Sequence, residues 1–318
     1  MKVRHPEYFF WAAVVLLLFS FVREQPTIAS TAPLPQSAAA AGIPPLSDPF
    51  QDIALEAASA YVLDAKTGKA LFMKQATTTN ALASVTKVMT ASVALSLVPD
   101  TTLIPIELEA IREEGDSGLK VGDRWLLRDL VALMLVESSN DAARAISSTV
   151  GSFTLGTEDR SAGRARFIAE MNERAREWGL RDTVFRSESG LDISVSGEEP
   201  PSLAGAVSTA RDAAHLMAYA LENFPSVFTA TRWSEFLVEN GAGESRSARN
   251  TNKGTDRLPL LIASKTGFTD MAGGNLVIAF DAGFDHPIVV AVLGSTAEGR
   301  FSDVEKLVWS TLSYMQNH

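Results

Sequence analysis

Cysteine is absent from the 318-residue chain, which removes disulfides, thiolate nucleophiles, thiolate metal sites and a lipoprotein anchor together. Histidine is scarce. His5, His215, His286 and His318 are the whole set, with no HExxH pair among them, and this speaks against a zinc peptidase. Triad serine hydrolases need a histidine base. The tetrad GDSG at 115–118 has no cysteine framework or suitable His–Asp pairing beside it and reads as a turn, and no GxSxG elbow exists. Basic charge is also short: 28 Lys and Arg stand against 38 Asp and Glu, and the net −10 argues against a nucleic-acid partner. No residue pattern calls for a metal or an organic cofactor.

There is one long hydrophobic run, "YFFWAAVVLLLFSFV" at 8–22, with Lys2 and Arg4 on its short leading side. At about 15 residues it falls between a signal-peptide core and a full membrane span of about 20. Arg23 and Glu24 follow directly, and the small-residue stretch "IASTA" at 28–32 lies some way beyond. Residues 1–25 are therefore expected to be an uncleaved signal anchor, with a cleaved signal peptide as the alternative. The leading charges keep that end in the cytoplasm and place the remainder on the exported side. Residues 26–49 are rich in Pro, Ala and Ser with no charge before Asp48, the composition of a semi-extended tether. One folded domain is expected over 50–318, and 46% apolar residues suffice for its core.

Within it, "SAYVLDAKTGKALFMK" reads as two strands around a turn at Asp64 to Gly68. Residues 84–98 are helix-length and apolar, stopped by Pro99. "RWLLRDLVALMLVESSNDAARAISSTV" carries apolar residues at three- and four-residue spacing, the helical period. Further helices are expected over about 165–178, closed by Gly179, from the capping box at Thr209 to Asp212 through about Leu221, and over about 302–314. Residues 151–163 and 239–257 read as polar loops. "LPLLIASKTG", "NLVIAF" and "PIVVAVLG" read as strands. The expected fold class is α+β, with N- and C-terminal strands in one antiparallel sheet packed against a mostly helical middle.

A serine can be activated by lysine instead of histidine, and i, i+3 spacing on a helix brings amine to hydroxyl. Two SxxK segments occur. Ser117 to Lys120 lies among glycines that disfavour a helix, whereas Ser84-Val85-Thr86-Lys87 opens an apolar one. Taken alone, Ser84 is more simply an N-cap. Ser138-Ser139-Asn140 is the only SxN in the chain. Lys-Thr-Gly occurs twice, at 66–68 and 265–267, and only the second follows both other motifs. The order SxxK, SxN, KTG is the motif set of penicillin-binding proteins and class A β-lactamases.

The likeness extends beyond three motifs. "AYVLDAKTGKALFMKQATTTNALASVTKVMTASVAL", "RFIAEMNERAREWGLRDTVFRSESGLD", "VSTARDAAHLM" and "SKTGFTDMAGGNLV" together resemble the D-alanyl-D-alanine carboxypeptidase family of low-molecular-mass penicillin-binding proteins, from about residue 54 onward. The second segment of that pattern ends TxFxNxxGLD. Here Ser187 replaces its Asn, Ser189 stands where members often have His, and Val207 replaces a Tyr. The resemblance implies a β-lactamase/transpeptidase-like fold and removal of the terminal D-Ala from peptidoglycan stem pentapeptides at the outer face of the bacterial cytoplasmic membrane. D,D-endopeptidase action on cross-links is the alternative. A β-lactamase is disfavoured, since no deacylating Glu-x-x-x-Asn follows the SxN motif, and the intact motifs argue against an inactive wall-binding module. Penicillins, as mimics of the dipeptide, would acylate the enzyme.

The resemblance also implies roles. Ser84 is the nucleophile, Lys87 its base, and Ser138 a proton relay to the leaving D-Ala. Asn140 holds the peptide backbone, Lys265 and Thr266 bind the terminal carboxylate, and Gly267 leaves room along the strand edge. The backbone N–H groups of Ser84 and Phe268 form the oxyanion hole. Lys87 must be neutral to accept a proton, and burial together with the charge of Lys265 is expected to keep it so. His215 is expected to be a packed histidine and Asp270 a loop-fixing acceptor.

Overall fold

A computed structural model describes residues 48–115, 117–195 and 201–317. The expected signal segment, the tether up to residue 47 and Asp116 of the GDSG turn lie outside the described residues. Strands β1 (Ser59–Asp64) and β2 (Ala70–Lys74) flank the first Lys-Thr-Gly, and β3 (Asn80–Ala81) leads through a 3-10 turn (Ala83–Val85) into α1 (Thr86–Leu97). The short strands β4 (Leu103–Pro105) and β5 (Arg124–Leu126) precede α2 (Leu127–Val136), α3 (Asn140–Leu155) and α4 (Arg160–Glu177). After β6 (Val184–Phe185) and β7 (Ala206–Ser208) come α5 (Ala210–Asn223) and α6 (Pro225–Phe228). A hairpin, β8 (Glu235–Glu239) and β9 (Ser245–Arg249), precedes β10 (Leu261–Thr269), β11 (Gly273–Asp281), β12 (Pro287–Ser295) and α7 (Gly299–Asn317).

Five strands form one antiparallel sheet in the order β10-β11-β12-β1-β2, so the two ends of the domain share it as expected. The register runs from Ser59 opposite Leu293 to Asp64 opposite Ile288. Because helices cover both faces, the central strands are continuous apolar runs rather than alternating ones. Val62, Ile278, Val290 and Val292 pack on Phe301, Val304, Leu307 and Val308 of α7. Tyr61, Leu63, Val277, Val289 and Ala291 join the larger core with α1, α2 and α5. Helix α1 is buried along Thr86 to Ala94, the mark of a helix enclosed on all sides. The site residues at its start are thus set against the middle of the fold.

The helical period read across 124–150 is interrupted. The chain leaves α2 at Glu137, Ser138 turns it with a left-handed φ of 63°, and Ser139 caps α3 by accepting the Ala142 N–H at 3.0 Å. Two segments read as loops are ordered instead. Residues 151–163 hold the end of α3 and the start of α4, and 239–257 contain β9. The first misreading has a steric reason. Gly151 and Gly163 are contact points where α3 and α4 cross, and a Cβ on Gly151 would lie 1.9 Å from the Gly163 carbonyl oxygen. Glycine that permits close helix approach looks in sequence like glycine in a loop. The capping box at Thr209 is present, with the Thr209 side chain accepting from Asp212 N–H. The last helix is longer than expected at both ends. Among the described residues, no helix is long and apolar enough to cross a membrane.

Candidate active site

Ser84 does not begin α1; it sits within the 3-10 turn before it, and α1 has no side-chain cap. The turn is held from the sheet. Asn275 on β11 donates to the carbonyls of Ala81 (2.9 Å) and Leu82 (3.0 Å), and its own carbonyl accepts the Gly294 N–H at 2.8 Å. Ala83 adopts φ 48°, a costly conformation for a residue with a side chain, so the surrounding contacts dictate the turn. Lys87 follows one turn along α1 with no exposure. Its Nζ donates to Ser84 Oγ (2.8 Å), Asn140 Oδ1 (2.7 Å) and the Ser189 carbonyl (2.9 Å). Three donated bonds suit the ammonium; a neutral amine at this distance has a lone pair that can accept a hydrogen bond from the Ser84 hydroxyl.

The α2–α3 turn supplies the second motif. Asn140 binds Lys87 through Oδ1 and donates Nδ2 to the Glu114 carbonyl at 2.6 Å. Ser117, the serine of the other SxxK, hydrogen-bonds Asp141 Oδ2 (2.8 Å) and Ser139 Oγ (2.7 Å) and so braces this turn. Arg246 on β9 reaches the Ser117 carbonyl and pairs with Glu137 at 2.6 Å. Beside Ser138 and Asn140 opens a groove of about 580 Å³ whose walls include Glu114, Ser117, Arg246 and Arg249.

The third motif comes from β10, an edge strand of the sheet. Lys265, 1% exposed, donates to Ser138 Oγ and to the Thr266 carbonyl, each at 2.9 Å. Thr266 Oγ1 shares a 2.6 Å hydrogen bond with Thr251 Oγ1. Gly267 lies against the Ser84 turn, and a Cβ there would come within 2.7 Å of the Leu82 carbonyl and 3.2 Å of Ser84 N. Phe268 is half exposed. The site thus holds two hydrogen-bonded groups, Ser84 with Lys87 and Asn140, and Ser138 with Lys265 and Thr266, with Gly267 and Phe268 alongside.

Burial draws the Lys87 amine down to about 7, while the charges of Glu188 and Glu113 pull it back up. Burial likewise holds Lys265 well below the ordinary lysine range, assisted by Lys87 and then Arg300. Of the two expected causes, burial does lower Lys87, whereas the charge effect between the lysines falls on Lys265 instead. Other expectations change as well. His215 is exposed rather than packed inside, its ring 6.1 Å from that of Tyr61. Asp270 is exposed, and Thr269 Oγ1, accepting the Ala272 N–H at 3.2 Å, fixes that turn. The first Lys-Thr-Gly is an exposed hairpin turn as read, with Gly68 at φ 73° and Asp64 accepting the N–H groups of Lys66 and Thr67. Ser187, at the position of the family Asn, accepts the Gly190 N–H through Oγ at 3.0 Å.

Several residues escaped the sequence reading. Arg300, at the start of α7, donates Nη1 to the Gly267 carbonyl at 2.6 Å, and its buried Nε has no partner. Glu188, Thr251 and Glu113 also surround the site. Asn275 stands in the "GGNLV" segment that carried the resemblance; the others have no local pattern. Among the described residues, no group of three His, Cys, Asp or Glu is placed to hold a metal ion.

The sequence profile of the D-alanyl-D-alanine carboxypeptidase family matches residues 46–297. The carboxypeptidase DacF of Bacillus subtilis is 28% identical over 275 residues, covering 84% of this chain and 65% of that protein. A D-alanyl-D-alanine endopeptidase of Pseudomonas aeruginosa is 30% identical over 232 residues, covering 70% of this chain and 67% of that protein. The chain therefore spans about two thirds of the length of these curated relatives. The crystal structure of the Streptomyces K15 DD-transpeptidase superimposes with a TM-score of 0.71 at 27% identity, covering 82% of this chain and 99% of that one.

Proposed function

Because this chain belongs to the D-alanyl-D-alanine carboxypeptidase family, we propose that it removes the terminal D-Ala from peptidoglycan stem pentapeptides through an acyl-enzyme on Ser84. The observation that carries this reading is the buried Lys87 amine, 2.8 Å from Ser84 Oγ and drawn down to about 7, a base poised at working pH. Ser84 Oγ attacks the carbonyl of the penultimate D-Ala as Lys87 takes its proton. The backbone N–H groups of Ser84 and Phe268 stabilise the developing oxyanion, a contribution of about 3 kcal/mol for each such donor. The C–N bond breaks, and the proton passes from Lys87 by way of Ser138 to the departing D-Ala amine. Water then attacks the acyl-enzyme, releasing the shortened peptide and free Ser84.

The substrate carboxylate is bound by Lys265 and Thr266, with Arg300 adding a second cation behind Gly267. An arriving carboxylate favours the charged form of Lys265 and a charged Lys265 repels a proton on Lys87, so substrate binding itself prepares the base. Asn140 holds the peptide backbone after exchanging its bond to the Glu114 carbonyl. Penicillins, which mimic the dipeptide, acylate Ser84. We assign residues 50–318 to the catalytic domain, 26–49 to the tether, and 1–25 to an anchor or signal that delivers the domain to the outer face of the cytoplasmic membrane. The family's cell-wall substrates lie on that side.

The 30% identity to a protein named an endopeptidase favours one second reading, cleavage of cross-links. A cross-linked stem also ends in a free D-Ala carboxylate, so the same grip serves both. The deciding experiment compares free D-Ala released from a pentapeptide ending in D-Ala-D-Ala with cleavage of purified muropeptide dimers by the same purified chain. D-Ala release is expected. Dimer cleavage without it moves the assignment to endopeptidase, and neither product overturns both.

A further inference from the structure

Glu188 is 1% exposed, and no step of the proposed reaction uses it. The family pattern TxFxNxxGLD leaves its position open. A buried carboxylate is expensive unless compensated, so its presence needs a reason. Both its oxygens accept from Arg164 Nε on α4 at 2.9 Å, and Arg144 Nη1 on α3 lies 3.7 Å away. Arg144 also reaches Glu113 at 3.3 Å, in the loop beside Glu114.

The backbone around Glu188 is strapped to the nucleophile. Its carbonyl accepts Thr90 Oγ1 on α1 at 2.6 Å, and the next carbonyl, that of Ser189, accepts Lys87 Nζ at 2.9 Å. Gly190, at φ 81°, presses so close to the Ala83 carbonyl that a Cβ would lie 2.0 Å from its oxygen. The buried charge and the lysine contact therefore belong to one rigid segment.

Resting on the assignment of Ser84 and Lys87 above, we infer that Glu188 is a positioning residue acting through Lys87. Clamped by Arg164 and Arg144, it gives the Lys87 ammonium a fixed counter-charge and holds the Ser189 carbonyl against it. The ammonium forms when Ser84 attacks and must persist until the leaving amine takes the proton. From β10 the Lys265 amine is near enough for the Lys87 charge to lower it, as Arg300 from α7 also does. Glu188 and Glu113 supply the opposite sign, while Arg144 and Arg164 temper them. The charge of Glu188 does favour the protonated form of Lys87 against its burial.

The test is the pH dependence of benzylpenicillin acylation of the full chain, followed from about pH 5 to about pH 9, where the acid limb reports the free base. Glu188→Gln keeps shape and removes charge, and its acid limb is expected about one pH unit lower. Arg164→Gln removes a cation instead, so its limb is expected to move higher. Glu188→Asp, which retains the charge, is expected to stay near the parent. A merely structural role would lower the rate at every pH without moving the limb, and that result overturns the inference, as do shifts of the two Gln variants in the same direction. If Glu188→Gln does not fold, an unmoved limb in Arg164→Gln overturns it alone. A parent chain that is never acylated overturns the functional reading itself, a different result from an acylated parent with unshifted variants.

Discussion

Lys66 and Lys265 head identical triplets, and the fold gives them opposite fates. Lys66 is exposed on a hairpin turn, whereas Lys265 is buried and hydrogen-bonded to Ser138. Lys66→Ala is expected to leave penicillin acylation within a few-fold of the parent, since exposed substitutions usually stay within about 0.5 kcal/mol. Lys265→Ala is expected to lose roughly 100-fold or more, as loss of a charged anchor in a dry site does. Measuring both second-order acylation constants checks the pair; equal losses would contradict the distinction. At this scale the motif residues were legible because their chemistry requires short, fixed spacings. Arg300 and Glu188 were not, since each is a single charged residue brought in from a distant segment. The electrostatics of Lys87 was legible only in part: its burial was expected from an apolar helix, but the opposing charges of Glu188 and Glu113 come from distant segments that no motif contains.

Among the elements, helices with strong apolar period and clear caps were legible, α5 with its Thr209 box above all. The β8–β9 hairpin was not, because its second strand, SRSAR, is polar and half exposed, with no apolar alternation to read. Its placement depends on tertiary partners such as the Arg246–Glu137 pair. The crossing of α3 and α4 was hidden for the opposite reason, its glycines resembling loop residues. That crossing gives a direct test. Gly151→Ala forces a methyl group into the backbone of α4 and is expected to destabilise the protein by about 1–3 kcal/mol, read as a fall in Tm. Acylation per folded molecule should be retained, as the crossing lies at the far end of α3 from Asn140. An unchanged Tm would mean that the helices are not in contact there.

At the scale of the whole molecule, the sheet joins the first strands of the domain to the last, and this was legible because both ends carry short apolar runs. The helical middle then carries the SxN turn to α1 and β10, where Asn140 meets Lys87 and Ser138 meets Lys265. Holding two lysines inside this arrangement has a global consequence. The unfolded chain keeps the Lys87 proton up to the ordinary lysine value of 10.5, while the folded chain releases it at about 7. Between these values the unfolded state binds more protons, so this group's contribution to stability rises with pH. Below about pH 7 the unfavourable contribution is present in full. Tm is therefore expected to gain more between pH 7 and pH 9 in the parent than in Lys87→Met, and equal gains would contradict the burial of an ionisable amine. The central claim, that Ser84 is the acylated nucleophile, is tested most directly by mass spectrometry of the chain after incubation with benzylpenicillin. The account predicts one penicilloyl group per molecule, mapped to the peptide containing Ser84 and absent from folded Ser84→Ala. An adduct on Ser117 or Ser138, or labelling that persists in Ser84→Ala, would contradict it.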